Sequence, residues 1–258
     1  MNWKSIEGDS NMKHLPVVAA VVPAAGMGRR MGSDLNKIRL SLLGEPVISH
    51  TLRVLTTLPE LGPIVLAINP LEREYFTEYL KDQWPHEERI YLTAGGKERQ
   101  DSVYHGLRYL KDCPGWPGAG ARLVVIHDAA RALLTQELLI EAIATGWVHG
   151  AVGVAVPVKD TIKQADPSGF VVATPERSTL WAIQTPQVFD YELILKCYEQ
   201  LLPTGRLFSD DCGMVEACGE KVKLIPGSYE NFKITTPEDM ILAEEIIRRR
   251  ADANRSGL

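Results

Sequence analysis

The residues most able to do chemistry lie between Pro23 and Lys37, where a run of small residues, Pro23-Ala-Ala-Gly-Met-Gly-Arg-Arg-Met-Gly32, leads to a lysine. Glycines such as Gly26 and Gly28 let a backbone approach phosphate oxygens, and Arg29, Arg30 and Lys37 add fixed charge and forked donors. Two familiar phosphate loops are excluded. A dinucleotide-binding G-x-G-x-x-G would need glycine or alanine where Met31 stands, and the G-x-x-x-x-G-K-[ST] of a P-loop is absent. Three cations also exceed what a dinucleotide's pyrophosphate requires, so a nucleoside triphosphate with charge developing in the transition state fits better. On the loop alone, the other reading is a solvated pair of arginines beside a turn.

Three further signals are chemical. His127-Asp128-Ala-Ala-Arg131 follows a β-branched run. An aspartate there can bind a hydroxyl or a magnesium-bound water, and Arg131 either reaches a phosphate or fixes the loop. His127 reads as a packed core histidine with no catalytic role. Lys233 lies between Phe232 and Ile234 just before Thr235-Thr-Pro237 opens a C-terminal helix. The helix's positive end would repel its ammonium, and an anion bound between them would reconcile the two. Finally, residues 158–175 read as two strands joined by the turn Asp166-Pro-Ser-Gly169, a hairpin protruding from the domain. Extended into solvent, it would expose Ile162, Phe170 and Val172, so pairing with a twin arm, and hence a homodimer, is expected; folded back on its own sheet, it would leave Thr161 and Arg177 as ordinary strand and turn residues.

The elements that must position these groups alternate in type. Strands are expected at Val17–Ala24, Ile64–Ile68, Ile90–Leu92, Leu123–His127 and Val152–Val156. Between them, helices are expected at Pro46–Thr57, Leu71–Lys81, Glu98–Leu110 and Gln136–Val148. That alternation is the mark of βαβ units, so the fold class is α/β: a Rossmann-like, mainly parallel sheet with helices on both faces. Ligands in such sheets sit beyond the carboxyl ends of the strands, where the small-residue loop and His127–Arg131 fall.

Bulk properties bound the rest. The 258 residues, 45% hydrophobic and 24% charged, make one globular domain, and residues 1–14 read as a disordered terminus. A net charge of −5 argues against nucleic acid as a partner, so an anionic substrate must meet a local basic cluster. The longest apolar run, Leu15 to Met27, is broken by Pro16 and Pro23 and is too short to span a membrane. Cys113, Cys197, Cys212 and Cys218 form no C-x-x-C pair and read as small, reduced side chains of a cytoplasmic protein rather than zinc ligands.

Taken together, the motifs become recognisable. Val22-Pro-Ala-Ala-Gly-Met-Gly-Arg-Arg-Met31, Gly95-Gly-Lys-Glu-Arg-Gln-Asp-Ser-Val103, His127-Asp-Ala-Ala-Arg131, Pro157-Val-Lys-Asp-Thr161, Gln184-Thr-Pro-Gln187 and Asn231-Phe-Lys-Ile-Thr235-Thr-Pro-Glu-Asp239 occur in this order. In that order they resemble the 2-C-methyl-D-erythritol 4-phosphate cytidylyltransferases. The resemblance implies CTP and a sugar-alcohol phosphate as substrates, with magnesium carried mainly by the CTP phosphates. It also implies that Ala24, Ala25 and Gly26 hold the cytosine and phosphates through backbone groups, with Gly96 and Ser102 completing the base pocket. Arg30 and Lys37 would stabilise the pentavalent transition state and the leaving pyrophosphate. Thr161, Arg177 and Thr185 would meet the acceptor, across a dimer arm, and Lys233 would bind its phosphate. A sister family acting on ribitol 5-phosphate shares the loop, the Asp-Ala-Ala-Arg segment and the chemistry. Four residues depart from the pattern: Asn36 and Ile38 flank Lys37 where Pro-Lys-Gln is usual, Lys97 stands where a carboxylate often follows the glycine pair, and Ala132 where proline is usual.

Overall fold

A computed structural model of the protein describes residues 17–26, 36–117, 120 and 122–256. The terminus at 1–14, Gly28 and Arg30 therefore lie outside the described residues. Eleven strands are found there: β1 (Val17–Ala24), β2 (Ser41–Leu42), β3 (Glu45–Pro46), β4 (Leu61–Ile68), β5 (Ile90–Ala94), β6 (Arg122–Ile126), β7 (Ala151–Pro157), β8 (Gln164–Ala165), β9 (Val171–Ala173), β10 (Trp181–Asp190) and β11 (Lys223–Pro226). The helices are α1 (Val47–Thr56), α2 (Arg73–Gln83), α3 (Arg99–Tyr109), α4 (Gln136–His149), α5 (Tyr191–Leu201), α6 (Asp211–Ala217) and α7 (Pro237–Ser256).

Seven strands form one sheet in the order β11-β7-β10-β6-β1-β4-β5. All its neighbours are parallel except β10, which runs antiparallel between β6 and β7. The nine expected elements are all present, with ends moved by up to three residues. Leu71 falls in the 3-10 turn Pro70–Glu72 that precedes α2, and His127 lies just past β6 rather than inside it. The strands β10 and β11 and the helix α5 lie outside the elements expected from sequence.

Period-2 patterning sets the layers. Alternate residues of β1 point to opposite faces: Val18, Ala20 and Val22 pack with Ile48 and Leu52 of α1, Phe76 of α2 and Leu139 of α4. Ala19 and Val21 pack instead with Leu107 of α3, Tyr198 of α5 and Met214 of α6. A strand buried on both faces reads as a continuous apolar run, which is why Val17–Ala24 shows no polar alternation. The helix α7 makes a third layer against Leu42, Leu133 and Ile234.

Chain direction reverses around β1: the chain moves from β1 to β4 and β5 on one side, then returns to place β6 on the other. This is the switch point at which open parallel sheets leave a crevice at their carboxyl edge. The hairpin is present but short, β8 pairing antiparallel with β9. Its apolar residues face solvent, with Phe170 73% and Val172 59% exposed and Ile162 also exposed. No helix among the described residues is long and apolar enough to cross a membrane.

Candidate active site

A cleft of about 310 Å³ opens at the switch point. It is lined by Ala24, Ala25 and Gly26 after β1, by Gly96 to Arg99 and Ser102 around the start of α3, and by Asp128 after β6. Lys37 and the pair Lys233 and Thr235 close the remaining sides. Sequence segments more than 200 positions apart thus converge on one crevice. Lys37, Lys97, Arg99 and Lys233 supply the local basic cluster that an acidic chain needs to hold an anion.

The β1 loop and the start of α3 touch. A Cβ on Gly95 would fall 2.4 Å from the Ala25 side chain, so only glycine permits this approach. Ser102, on the first turn of α3, accepts from the Gly96 N–H at 3.0 Å and donates to the Glu98 carbonyl. A capping box of Glu98 and Asp101 fixes the helix start, so the backbone groups facing the cleft are held in place before any ligand arrives. Ala24, Ala25, Gly26, Gly96 and Ser102 are therefore brought together as expected.

Lys37 lies in a 3-10 turn, Lys37–Arg39, and its ammonium donates to the Ile234 carbonyl at 3.0 Å. Opposite it, Asp128 is buried and surrounded by cations. Its Oδ1 accepts from Arg99 Nε at 2.9 Å, and its Oδ2 lies 2.9 Å from Lys233 Nζ and 3.7 Å from Arg131 Nε. Burial by itself would raise this carboxyl, but Arg99, Lys233 and Arg131 overcome burial and hold it far below the usual carboxylate range. Lys233 thus pairs with a carboxylate of the protein itself, and the first turn of α7 is capped by Asp239, which accepts from Thr235 and Thr236 N–H.

Arg99 is the residue that sequence reading passed over. It bridges Asp128 to Asp211 of α6 at 2.8 Å, and Asp211 in turn accepts from the Tyr198 hydroxyl at 2.6 Å. Although it stands inside the Gly95–Val103 motif, its partner Asp211 is 112 positions away, and nothing local signals that pairing.

Two expected contact residues are committed to the protein itself. Arg131 donates to the Asn231 carbonyl at 2.7 Å, a contact that fixes the loop, and does not line the cleft. Thr185 is buried, and its hydroxyl lies in a chain that determines a tautomer. His127 Nε2 sits 3.2 Å from the Arg131 carbonyl, which can only accept, so Nε2 carries the proton. Nδ1 then accepts from the Thr185 hydroxyl at 3.1 Å, and that oxygen accepts from the Asp128 N–H at 3.0 Å. Thr161 and Arg177 lie on the exposed hairpin segment away from the cleft lining, with Arg177 donating to the Lys159 carbonyl.

The buried His127 has the packed role expected of it, and it makes stability depend on pH. Burial is the main cause lowering its pKa from 6.5 to about 4. As pH falls from 6.5, the unfolded chain takes up a proton first, so the contribution is complete above 6.5 and is lost by about 4. Integrated over that window it is worth on the order of 3 kcal/mol. Thermal unfolding of wild type should therefore fall through this range, and His127→Asn should flatten that part of the profile; an unchanged slope would assign the loss to other groups.

Magnesium was expected mainly on the nucleotide, with Asp128 as a possible ligand. Among the described residues no group of three or more His, Cys, Asp or Glu could hold a metal ion. Asp128 does not fit one either, since three cations lie within 4 Å of its oxygens and a divalent ion would be repelled by all of them.

Comparison with known proteins agrees with the geometry. Residues 18–249 match the family model described as IspD, 2-C-methyl-D-erythritol 4-phosphate cytidylyltransferase. The enzyme of that name from Desulforamulus reducens is 46% identical over 233 residues, covering 90% of this chain and 97% of its own. That of Caldanaerobacter subterraneus is 43% identical, covering 90% and 99%. Among solved structures, the 4-diphosphocytidyl-2C-methyl-D-erythritol synthase of Anaerococcus prevotii superposes with a TM-score of 0.77 at 30% identity, covering 90% of this chain and 99% of that one. A match that runs through every strand of the sheet and every wall of the cleft shows that the chain belongs to the 2-C-methyl-D-erythritol 4-phosphate cytidylyltransferase family.

Proposed function

We propose that this protein transfers CMP from CTP to 2-C-methyl-D-erythritol 4-phosphate, giving 4-diphosphocytidyl-2-C-methyl-D-erythritol and pyrophosphate, in the non-mevalonate route to isoprenoid precursors. The observation that carries the site assignment is the switch-point cleft, in which the Ala24–Gly26 backbone lies on one wall and Lys37 and Lys233 on others.

An oxygen of the acceptor's phosphate attacks the α-phosphorus of CTP, a new P–O bond forms, and the bond to the β-phosphate bridging oxygen breaks with its electrons leaving on pyrophosphate. No general base is required, because a phosphate monoester has a second pKa near ~6 and arrives as an anion. The difficult tasks are bringing two polyanions together and holding them in line. Lys37 and, outside the described residues, Arg30 would meet the triphosphate charge. Lys233 would meet the acceptor phosphate by exchanging its contact with Asp128 for a phosphate oxygen. Backbone groups at Ala24, Ala25, Gly26 and Gly96, with Ser102, suit cytosine, whose exocyclic amine and ring acceptor distinguish it from uracil. Magnesium supplies charge neutralisation on the phosphates when the nucleotide brings it, and Asp128 would act through Arg99 and Lys233 rather than on the metal.

Thr161 and Arg177 are absent from the cleft of their own chain, which supports a homodimer in which the arm carries them to a partner's cleft. The exposed Phe170 and Val172 favour the same arrangement. Sedimentation of a chain lacking Asp160–Thr174 should show monomers, and an unchanged dimer would refute the arm as the interface.

The direct test is pyrophosphate release with magnesium and CTP, comparing 2-C-methyl-D-erythritol 4-phosphate with ribitol 5-phosphate and replacing CTP by UTP or ATP. Strong preference for the first acceptor with CTP is expected. Preference for ribitol phosphate would keep the site and move the acceptor, whereas no release with any pair would leave a nucleotide-binding module.

A further inference from the structure

The turn that carries Lys37 is anchored on both flanks to one carboxylate. On one flank, Asn36 donates from Nδ2 to Glu72 Oε2 at 2.9 Å and to the Ala24 carbonyl at 3.0 Å. Its own Oδ1 accepts from the Ile38 N–H and caps the turn. On the other flank, Arg39 donates from Nη1 to Glu72 Oε1 at 3.0 Å, and its guanidinium lies 3.7 Å over the centre of the Tyr75 ring. The two oxygens of Glu72 are thus divided between the residues either side of Lys37 and Ile38. Asn36 is 2% exposed and Glu72 9%, so water competes little for these bonds.

None of Asn36, Arg39, Glu72 or Tyr75 lines the cleft. What they hold does line it: Ala24, whose carbonyl ends β1, and Lys37, whose ammonium reaches across to Ile234. A buried carboxylate with a partner on each oxygen, placed behind a cleft cation and absent from the cleft lining, acts on the cleft through what it orients. The donor that Asn36 supplies to Glu72 is one that the proline usual at this place could not provide.

We propose that Glu72 is a positioning residue for Lys37, acting through Asn36 and Arg39, an inference that rests on the role given to Lys37 above. Simple electrostatics makes the opposite forecast. Removing a carboxylate behind a site for two polyanions should favour their binding, whereas loss of the latch should lower turnover because Lys37 no longer waits where charge develops.

A double-mutant cycle separates positioning from general support of the fold. Glu72→Ala should lower kcat about tenfold while changing KM for CTP less than about twofold, and in a Lys37→Ala background the same substitution should change kcat less than about twofold. An equal fold-loss in both backgrounds, or no loss in wild type, would overturn the proposal. If Lys37→Ala alone leaves turnover unchanged, the role of Lys37 itself fails, and that result is distinct from an additive cycle. Should Glu72→Ala not fold, Glu72→Gln is taken through the same cycle under the same criteria, since it keeps an acceptor for Asn36 and removes the charge facing Arg39.

Discussion

Replacing Lys37 by alanine is expected to lower kcat by about 10²–10³ while leaving the fold intact. The ammonium stands on the wall of the cleft with a carbonyl partner, Ile234, and its stem emerges from a turn held by Asn36, Glu72 and Arg39. Folding needs that turn, but it does not need the charge. Substrate can still be bound by the Ala24–Gly26 backbone and by Lys233, so the loss should appear in kcat more than in KM. Lys37→Arg should recover only part of the rate, since a planar fork cannot take the place of a compact ammonium at a fixed carbonyl distance. Steady-state rates, with thermal unfolding as a control, decide the matter. Turnover within about twofold of wild type would remove Lys37 from the transition state.

The second large effect is on stability. Asp128→Asn should cost about 3 kcal/mol near neutral pH, because it removes the carboxylate that Arg131 and Lys233 face and leaves Arg99 with Asp211 alone. For a chain of this size that corresponds to a fall of roughly 6–12 °C in Tm. The sign of the pH dependence follows from the depressed folded-state pKa of Asp128. Its contribution is fully present above the unfolded carboxyl pKa of about 4 and declines as pH falls below it. The gap in stability between wild type and variant should therefore be widest at neutral pH and narrow in acid. A gap that stayed constant from pH 7 to pH 3 would show that shape, not charge, is what Asp128 contributes. Lys233, partly exposed, can recover some hydration in the variant, whereas the largely buried Arg131 cannot.

Legibility in the sequence differed by the range of the contact. The strand Val17–Ala24 was readable to the residue, because six consecutive valines and alanines, Val17–Val22, run into Pro23-Ala-Ala-Gly26. The strand β10 was not, since Trp181–Asp190 contains Pro186 and its pairing depends on β6 and β7 leaving a gap between them. The hairpin turn at Asp166–Gly169 was visible from turn chemistry, yet the ladder it closes is only a few residues long. Residues of the cleft were found where a short motif carried them: Ala24 to Gly26, Gly96, Ser102, Asp128 and Lys233 all line it. Thr185 and Arg131 were placed by the same motifs, but their polar atoms turn inward to His127, Asp128 and Asn231.

The sequence by itself determined the local chemistry of this protein: a small-residue loop able to meet phosphates, a mainly parallel α/β sheet, and cations at the ends of strands. Those properties depend on backbone freedom, side-chain period and residue type, which are written within a few consecutive positions. Only the tertiary structure decided how the charges are shared. Asp128 takes Arg99 and Lys233 as partners, Arg99 also takes Asp211, and Glu72 takes Asn36 and Arg39. Which cation a buried carboxylate holds is fixed by the few ångströms that separate strand ends once seven strands have paired, and no spacing along the chain encodes that distance.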